Sequence, residues 1–268
     1  MDLRTTVSLL LLLLLGLCHA EEDSYHDADN EIRVDPSDTE ELTKTILRMN
    51  NGSSDFLLEG DVMIPTTRNA MKCLQGANSC LWPKSANGNV EVPYVLSDSY
   101  DNTDVSEIQS AMKSIQSQTC IRFIPHRNQV AYLSLEPRYG CASLMGRTGG
   151  KQVVSLQRFG CISAGIIQHE LLHSLGFYHE HTRSDRDTYI KINWDNINEV
   201  FVNNFQKQDT NNLNTPYDYS SIMHYGRTAF AKPGLDSITP IPDSSVPIGQ
   251  RTDLSEIDIL RINKLYQC

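Results

Sequence analysis

The sequence predicts an α/β (α+β) fold, with a sheet and helices in its N-terminal half and a mostly irregular C-terminal half. Three observations predict it. Short runs rich in β-branched residues alternate with two helical patterns between residues 69 and 179. The stretch 180–250 is rich in Asn, Asp, Tyr and Pro and has little periodicity. A last helical pattern then ends the chain.

The elements follow in order along the chain. A helix is predicted over about 40–49, and Asp104 with Glu107 forms a capping box that opens a second helix. Ser163 is the predicted N-cap of a third helix that ends at Gly176. Asp253 opens the last one, through residue 266. Strands are predicted at 90–96, 121–124, 131–135 and 152–156.

Composition and charge limit the class of protein. The chain has 268 residues, of which 40% are hydrophobic and 21% charged, as expected of a globular protein with a sizeable core. Its net charge of −10 argues against nucleic-acid binding. Residues 21–68 hold 13 acidic and 4 basic side chains, so almost all the excess acid lies there. Such a charge step marks a boundary between parts with different roles.

The first 20 residues have the pattern of a secretory signal. Arg4 precedes an apolar run over 7–17, which ends in Cys18-His19-Ala20, with cleavage expected near Ala20. The run is too short for a membrane span, which needs about 20 residues. We therefore expect a secreted protein without a membrane anchor.

Six cysteines remain once Cys18 leaves with the leader. An even number in a secreted chain predicts three disulfides, and the residues alone leave all pairings open. The absence of a CxxC pair argues against a cysteine-based zinc ribbon. The six are Cys73, Cys80, Cys120, Cys141, Cys161 and Cys268.

Two positions are candidates for modification. Asn51-Gly52-Ser53 is a candidate glycosylation sequon, with an unmodified turn as the alternative. Arg68 separates the acidic segment from the cysteine-containing part, so it is a candidate site of proteolytic cleavage before Asn69. An ordinary surface arginine is the alternative.

The main chemical signal is His169-Glu170-Leu171-Leu172-His173. The two histidines are four residues apart on a predicted helix, so both imidazoles face one side and can share a metal. Gly176 lets the chain turn back, and His179 then supplies a third imidazole. Three histidines and an open fourth position form the site of a catalytic zinc, with Glu170 beside it.

The run HELLHSLGFYHEHTR, together with SIMHYG, resembles the astacin family of secreted zinc endopeptidases over residues 69–268. Six mature cysteines and the start NAMKC resemble the family's six-cysteine branch, and most of all fish hatching enzymes of the low choriolytic type. The resemblance implies a zincin (metzincin) fold in which two subdomains flank an active-site cleft. Residues 69–179 would carry the mixed twisted sheet and two helices, and residues 180–268 the irregular half.

The resemblance also implies a role for each motif position, with one Zn²⁺ as cofactor. His169, His173 and His179 would be zinc ligands, Glu170 the general base, Tyr225 a movable ligand that stabilises the oxyanion, Met223 the Met-turn residue under the site, and Glu180 the partner of the new amino terminus at Asn69. The implied disulfides are Cys120–Cys268, Cys141–Cys161 and Cys73–Cys80.

The acidic segment 21–68 would then be an inhibitory pro-segment. Phe56, followed after three residues by Gly60-Asp61, resembles the family's inhibitory stretch, with Asp61 as the switch that takes the water's place on zinc. A simple Gly-Asp turn is the alternative. We expect a trypsin-like protease to cut after Arg68, and storage of the zymogen in secretory granules.

The expected protein is a monomeric secreted endopeptidase that digests extracellular matrix, chiefly egg-envelope glycoproteins at hatching. Its substrate would pair with an edge strand at 131–135. One alternative is a six-cysteine astacin with a tissue or leukocyte role. The other is an inactive binding protein on the same fold, which the retention of Glu170 and all three histidines disfavours.

Overall fold

The structure, a computed structural model, describes residues 42–51, 53, 57–64, 80–250 and 252–268. The expected leader, Phe56, the expected cleavage site at Arg68 and Asn69, and Cys73 lie outside these ranges. The described residues belong to one compact unit that begins at residue 40. None of the helices within these ranges has the length and apolar character needed to cross a membrane.

One mixed sheet of seven strands carries the N-terminal half, as the predicted fold class requires. Its order is β1-β2-β6-β7-β5-β3-β4. Strands β1 and β2 pair antiparallel, as do β6 and β7, and every other neighbouring pair is parallel. The strands are β1 (Leu57–Leu58), β2 (Val62–Met63), β3 (Val90–Leu96), β4 (Ile121–Pro125), β5 (Tyr132–Glu136), β6 (Cys141–Leu144) and β7 (Lys151–Leu156).

The order of strands in this sheet contradicts one prediction. The strand expected at 131–135 to pair with substrate is β5, which lies inside the sheet between β7 and β3. That assignment was wrong, because an apolar run identifies a buried strand but not its place in the order. Strand β6, which the sequence analysis did not identify, pairs on its outer side with β2 of the acidic segment.

Four α-helices accompany the sheet within the described ranges. They are α1 (Leu42–Asn50), α2 (Asn102–Gln118), α3 (Ala164–Ser174) and α4 (Glu256–Leu265). Helix α1 belongs to the acidic segment and buries Leu42, Ile46 and Met49 in the main apolar core. A segment that contributes to the core in this way is docked by packing as well as by hydrogen bonds.

Two predicted helix starts were wrong by a few residues. Helix α2 is capped by Asp101, whose side chain accepts from the backbone of Asp104, and not by Asp104 itself. Helix α4 is capped by Ser255 with Asp258, rather than by Asp253. Both stretches contain overlapping capping-box patterns, and only the backbone dihedrals decide between them.

The C-terminal half has little regular structure, as expected. Strands β8 (Ile190–Ile192) and β9 (Ile238–Pro240) pair antiparallel, and the other regular pieces before α4 are short 3₁₀ turns. This half has its own apolar cluster, which includes Phe205 and Tyr225. The main core lies between the sheet and helices α2 and α3.

Two disulfides connect distant parts of the described chain. Cys120, just before β4, is bonded to Cys268 after α4. Cys141 at the start of β6 is bonded to Cys161, just before α3. Cys73 is not described, so its pairing with Cys80 stays a prediction.

Candidate metal centre and catalytic site

Helix α3 positions the first histidines. Every one of its residues except Ala164 is buried, so the helix is held on all sides. It ends at Leu175, and Gly176 has a φ of +100°, a left-handed conformation that favours glycine. The chain then turns back and brings His179 to the two helix histidines, His169 and His173.

The Nε2 atoms of the three imidazoles face a common point. Each Nδ1 lies at hydrogen-bond distance from an oxygen that accepts, so each Nδ1 carries a proton and each Nε2 is left to face that point. The pairs are His169 with the Ile222 carbonyl at 2.9 Å, His173 with the Phe177 carbonyl at 2.8 Å, and His179 with the Glu59 carboxylate at 2.7 Å.

Asp61 adds a carboxylate to this point. Its oxygens lie 3.1 Å from His169 Nε2, 3.4 Å from His173 Nε2 and 3.3 Å from His179 Nε2. The Nε2 atoms of His169 and His179 are 3.2 Å apart. Three imidazole nitrogens and a carboxylate oxygen gathered this closely are a donor set that suits a metal ion. The ligand atoms of a tetrahedral zinc, at about 2.0–2.1 Å from the metal, are about 3.3 Å from one another, so the four side chains fit zinc.

Glu170 lies beside this cluster without a partner. It is fully buried, and neither carboxylate oxygen has a hydrogen-bond donor among the described residues. Burial raises the pKa of Glu170 well above its usual value, and the negative charge of Asp61 raises it further. A buried carboxyl that is not tied to a fixed donor is able to take up and release a proton.

Charges within the cluster shift the other pKa values in opposite directions. Burial lowers the pKa of His173 to about 4. Burial also acts to lower the pKa of His179, but the carboxylates of Asp61 and Glu59 outweigh it and raise that pKa to about 9. Burial acts to raise the pKa of Asp61, yet the positive field and hydrogen bonds of the histidines hold it well below its usual value.

The Tyr225 hydroxyl is bonded to the acidic segment. It donates a hydrogen bond to the Glu59 carbonyl, and the tyrosine ring stacks on His181 with centroids 3.8 Å apart. Burial raises the pKa of Tyr225 well above its usual value, so its hydroxyl is protonated and able to donate. Its role as a movable ligand stays a prediction.

Met223 lies in a turn that reaches the histidines through its neighbours. The preceding carbonyl, that of Ile222, accepts from His169, and the Met223 carbonyl accepts from the Glu180 amide at 2.9 Å. The Asp258 carboxylate of α4 accepts from Ser221 and from the Ile222 amide, at 2.6 and 2.9 Å. The turn therefore connects the last helix to the first histidine.

Glu180 is buried and already satisfied in this structure. Two Arg261 nitrogens contact its two oxygens at 2.5 and 2.8 Å, and Arg183 and the Asp218 amide contact one oxygen at 3.3 and 2.8 Å. Asn69 is not described, so the expected contact with a new amino terminus stays a prediction.

Two residues of the acidic segment were missed by the sequence analysis. Glu59 contacts His179 and Tyr225, as described above. The Asn50 side chain hydrogen-bonds both the amide and the carbonyl of Cys141, at 2.8 and 2.7 Å, and the Gly60 carbonyl at 2.8 Å. No local pattern marks either residue, because each contact depends on tertiary placement. Asn51, the candidate sequon residue, is exposed.

The chain is similar to known proteins over its whole length. It is 58% identical to low choriolytic enzyme of Oryzias latipes over 271 residues, and 50% identical to high choriolytic enzyme 1 of the same fish over 273 residues. In both cases all of each chain is covered. A solved structure of high choriolytic enzyme 1, described as a hatching enzyme zinc-protease, matches with a TM-score of 0.71 and 56% identity. That match covers 75% of this chain and all of the other.

The family comparison agrees with the geometry of the site. The sequence model of the Astacin peptidase family matches residues 78–267, which include the three histidines, Glu170 and Tyr225. The chain therefore belongs to the astacin family of zinc metalloendopeptidases.

Proposed function

We propose that this chain is a secreted zymogen whose processed form hydrolyses egg-envelope glycoproteins at hatching. The full-length likeness to choriolytic enzymes supports the substrate. The observation that carries the zymogen assignment is the position of Asp61. This residue of the acidic segment lies 3.1 to 3.4 Å from the Nε2 atoms of the three histidines. A carboxylate there excludes the water that hydrolysis needs.

In the processed enzyme His169, His173 and His179 would hold the zinc, and removal of Asp61 would leave room beside them for water. When bound, zinc supplies Lewis acidity, which polarises the scissile carbonyl and makes a water nucleophilic at neutral pH. Glu170 takes the proton from the attacking water and passes it to the leaving amine. Loss of the Asp61 charge removes one of the two causes that raise the pKa of Glu170.

Tyr225 becomes available when the acidic segment leaves. Its hydroxyl loses the Glu59 carbonyl as acceptor and is free to donate to the developing oxyanion. The outer side of β6 becomes free as well, and an extended substrate takes the place of β2 by backbone pairing. Cleavage after Arg68 by a trypsin-like protease starts these changes, and the processed chain acts as a monomer.

The test is solubilisation of isolated fish egg envelopes by the chain cut after Arg68. Cut Glu170→Gln and a chelated sample serve as controls. We expect the wild type to dissolve the envelopes and Glu170→Gln to be at least about 100-fold slower, because it lacks the proton-transfer group. If the wild type cleaves casein but leaves envelopes intact, the result contradicts the hatching role and favours a tissue or leukocyte role. Equal activity of Glu170→Gln would contradict the proposed chemistry.

A further inference from the structure

Glu59 is a residue of the acidic segment that several other parts of the described chain contact. It is fully buried and has a φ of +52°, a conformation that an L-residue other than glycine adopts only when its surroundings hold it there. Its amide donates to Asn204 at 3.0 Å and its carbonyl accepts from Tyr225. Its carboxylate accepts from Gln208 at 2.8 Å and contacts His179 at 2.7 Å.

The contact with His179 differs from those of the other two histidines. His169 and His173 donate from Nδ1 to backbone carbonyls of Ile222 and Phe177, which remain in place after cleavage at Arg68. Among the described residues, the acceptor of His179 is a charged carboxylate from the segment that cleavage would remove. A carboxylate on the outer nitrogen of a ligating histidine fixes its orientation and strengthens its lone pair more than a neutral carbonyl does.

Gln208 and Asn204 hold Glu59 in place from the irregular half of the chain. With one carboxylate oxygen on Gln208, the other is directed at His179 Nδ1. The Asn204 contact fixes the backbone of Glu59 at the same time. Two contacts that do not involve the histidines therefore define where the carboxylate points.

We propose that Glu59 is a positioning residue of the metal centre that exists only in the unprocessed chain. The acidic segment then has two effects on the metal. It helps to retain the metal through Glu59 and His179, and through Asp61 it keeps water away from it. This inference rests on the proposed function, in which residues 21–68 are removed. It implies that the processed enzyme holds its zinc less tightly than the zymogen, and that zinc is loaded before cleavage.

The test measures zinc transfer from the unprocessed, zinc-loaded chain to a chromophoric chelator. The variant Glu59→Gly suits the left-handed backbone, so it removes the side chain and its carboxylate while keeping the carbonyl that accepts from Tyr225. We expect Glu59→Gly to release zinc about 10- to 100-fold faster than the wild type, the usual effect of losing an outer partner of a ligating histidine. Glu59→Gln keeps a neutral acceptor and should lie between the two.

Cleavage after Arg68 supplies an internal control, because the wild type, Glu59→Gly and Glu59→Gln then have the same processed sequence. The three processed proteins must release zinc at the same rate and hydrolyse peptides at the same rate. Asn50→Leu is the matched control for loosened docking, since Asn50 contacts Cys141 and Gly60 but not the histidines.

Two results overturn the proposal: equal zinc release from the unprocessed wild type and Glu59→Gly, or release from Asn50→Leu as fast as from Glu59→Gly. Failure of the processed wild type to hydrolyse any protein would count against the proposed function instead. In that case the release rates of the unprocessed chains still decide the role of Glu59.

Discussion

Two buried carboxylates of the same site differ in the partners that the fold gives them. Asp61 lies among three imidazoles, so its charge is stabilised. Glu170 has no donor among the described residues, so burial favours its neutral form. The difference follows from position alone, because both are ordinary carboxylic acids. It separates the carboxylate that joins the three histidines as a fourth ligand from the one whose burial favours the protonated form.

His224 offers a test of burial at a histidine that is not one of the three metal ligands. Burial lowers its pKa to about 4, while the unfolded chain keeps a value of about 6.5. Between these values the unfolded state binds the additional proton, so the free energy of unfolding falls as pH decreases from 6.5 to 4.

We expect His224→Asn to reduce the slope of the unfolding free energy against pH in that window by up to about 1.4 kcal/mol per pH unit. Denaturant unfolding of the unprocessed chain at several pH values gives both slopes. Above pH 7 the two curves should run parallel. Equal slopes below pH 6.5 would show that His224 does not titrate as its burial requires.

Glu180 and Arg261 form a buried pair whose loss should be costly. The two side chains are almost fully buried, and the Arg261 guanidinium donates hydrogen bonds to both Glu180 carboxylate oxygens. Arg261→Met leaves a buried carboxylate with only Arg183 and an amide, so we expect it to lower the free energy of unfolding by about 3–5 kcal/mol.

The double variant Glu180→Gln/Arg261→Met removes both charges and should recover much of this loss. Denaturant unfolding of both variants beside the wild type measures the difference. If the double variant is as unstable as the single one, an unpaired charge is not the cause.

Among the elements, β6 is the one on which the strand of the acidic segment is paired. On its outer side the Ser143 amide donates to the Asp61 carbonyl at 3.0 Å, and the Cys141 amide donates to the Asn50 side chain at 2.8 Å. An amide side chain at the end of α1 thus continues the pairing that β2 begins. The acidic segment therefore covers the outer side of β6 with strand β2 and the Asn50 side chain.

Hydrogen exchange tests whether Asn50 and β2 protect different amides of β6. In unprocessed Asn50→Leu we expect the Cys141 amide to exchange at least about 10-fold faster, because its acceptor is gone. The Ser143 amide should keep its protection, since the Asp61 carbonyl remains. A similar increase at both amides would mean that Asn50 secures the whole segment and not one position of the edge.

The elements also show what local sequence can and cannot predict. The sequence located β3, β4, β5 and β7 to within a residue or two, because each contains apolar residues, many of them β-branched or aromatic, in a short run or in alternation. Strand β6, Cys-Ala-Ser-Leu, has neither alternation nor a β-branched run, so it was missed. The spacing of the three histidines depends only on one helix and the turn after it, so the sequence was sufficient to predict that they meet. The contacts of Glu59 and Asn50 join parts of the chain far apart in sequence, so no local pattern could indicate them.

At the scale of the whole molecule, the C-terminal helix stabilises the site from a distance. Helix α4 supplies Asp258 to the turn before Met223 and Arg261 to Glu180. The disulfide between Cys120 and Cys268 fastens the end of this helix to the start of β4. This bond joins the last helix to the strand at the far end of the sheet order, so the helix that contacts the site is itself fixed to the sheet.

The two described disulfides should contribute unequally to stability. Cys120 and Cys268 are 148 residues apart, whereas Cys141 and Cys161 are 20 apart. The longer loop restricts the unfolded chain more, so we expect serine replacement of the first pair to cost about 5 kcal/mol and of the second about 3 kcal/mol. Guanidinium unfolding of the unprocessed chain compares both double variants with the wild type. The reverse order would mean that local packing around β6 and α1, rather than the entropy of the unfolded chain, sets the contribution of these bonds.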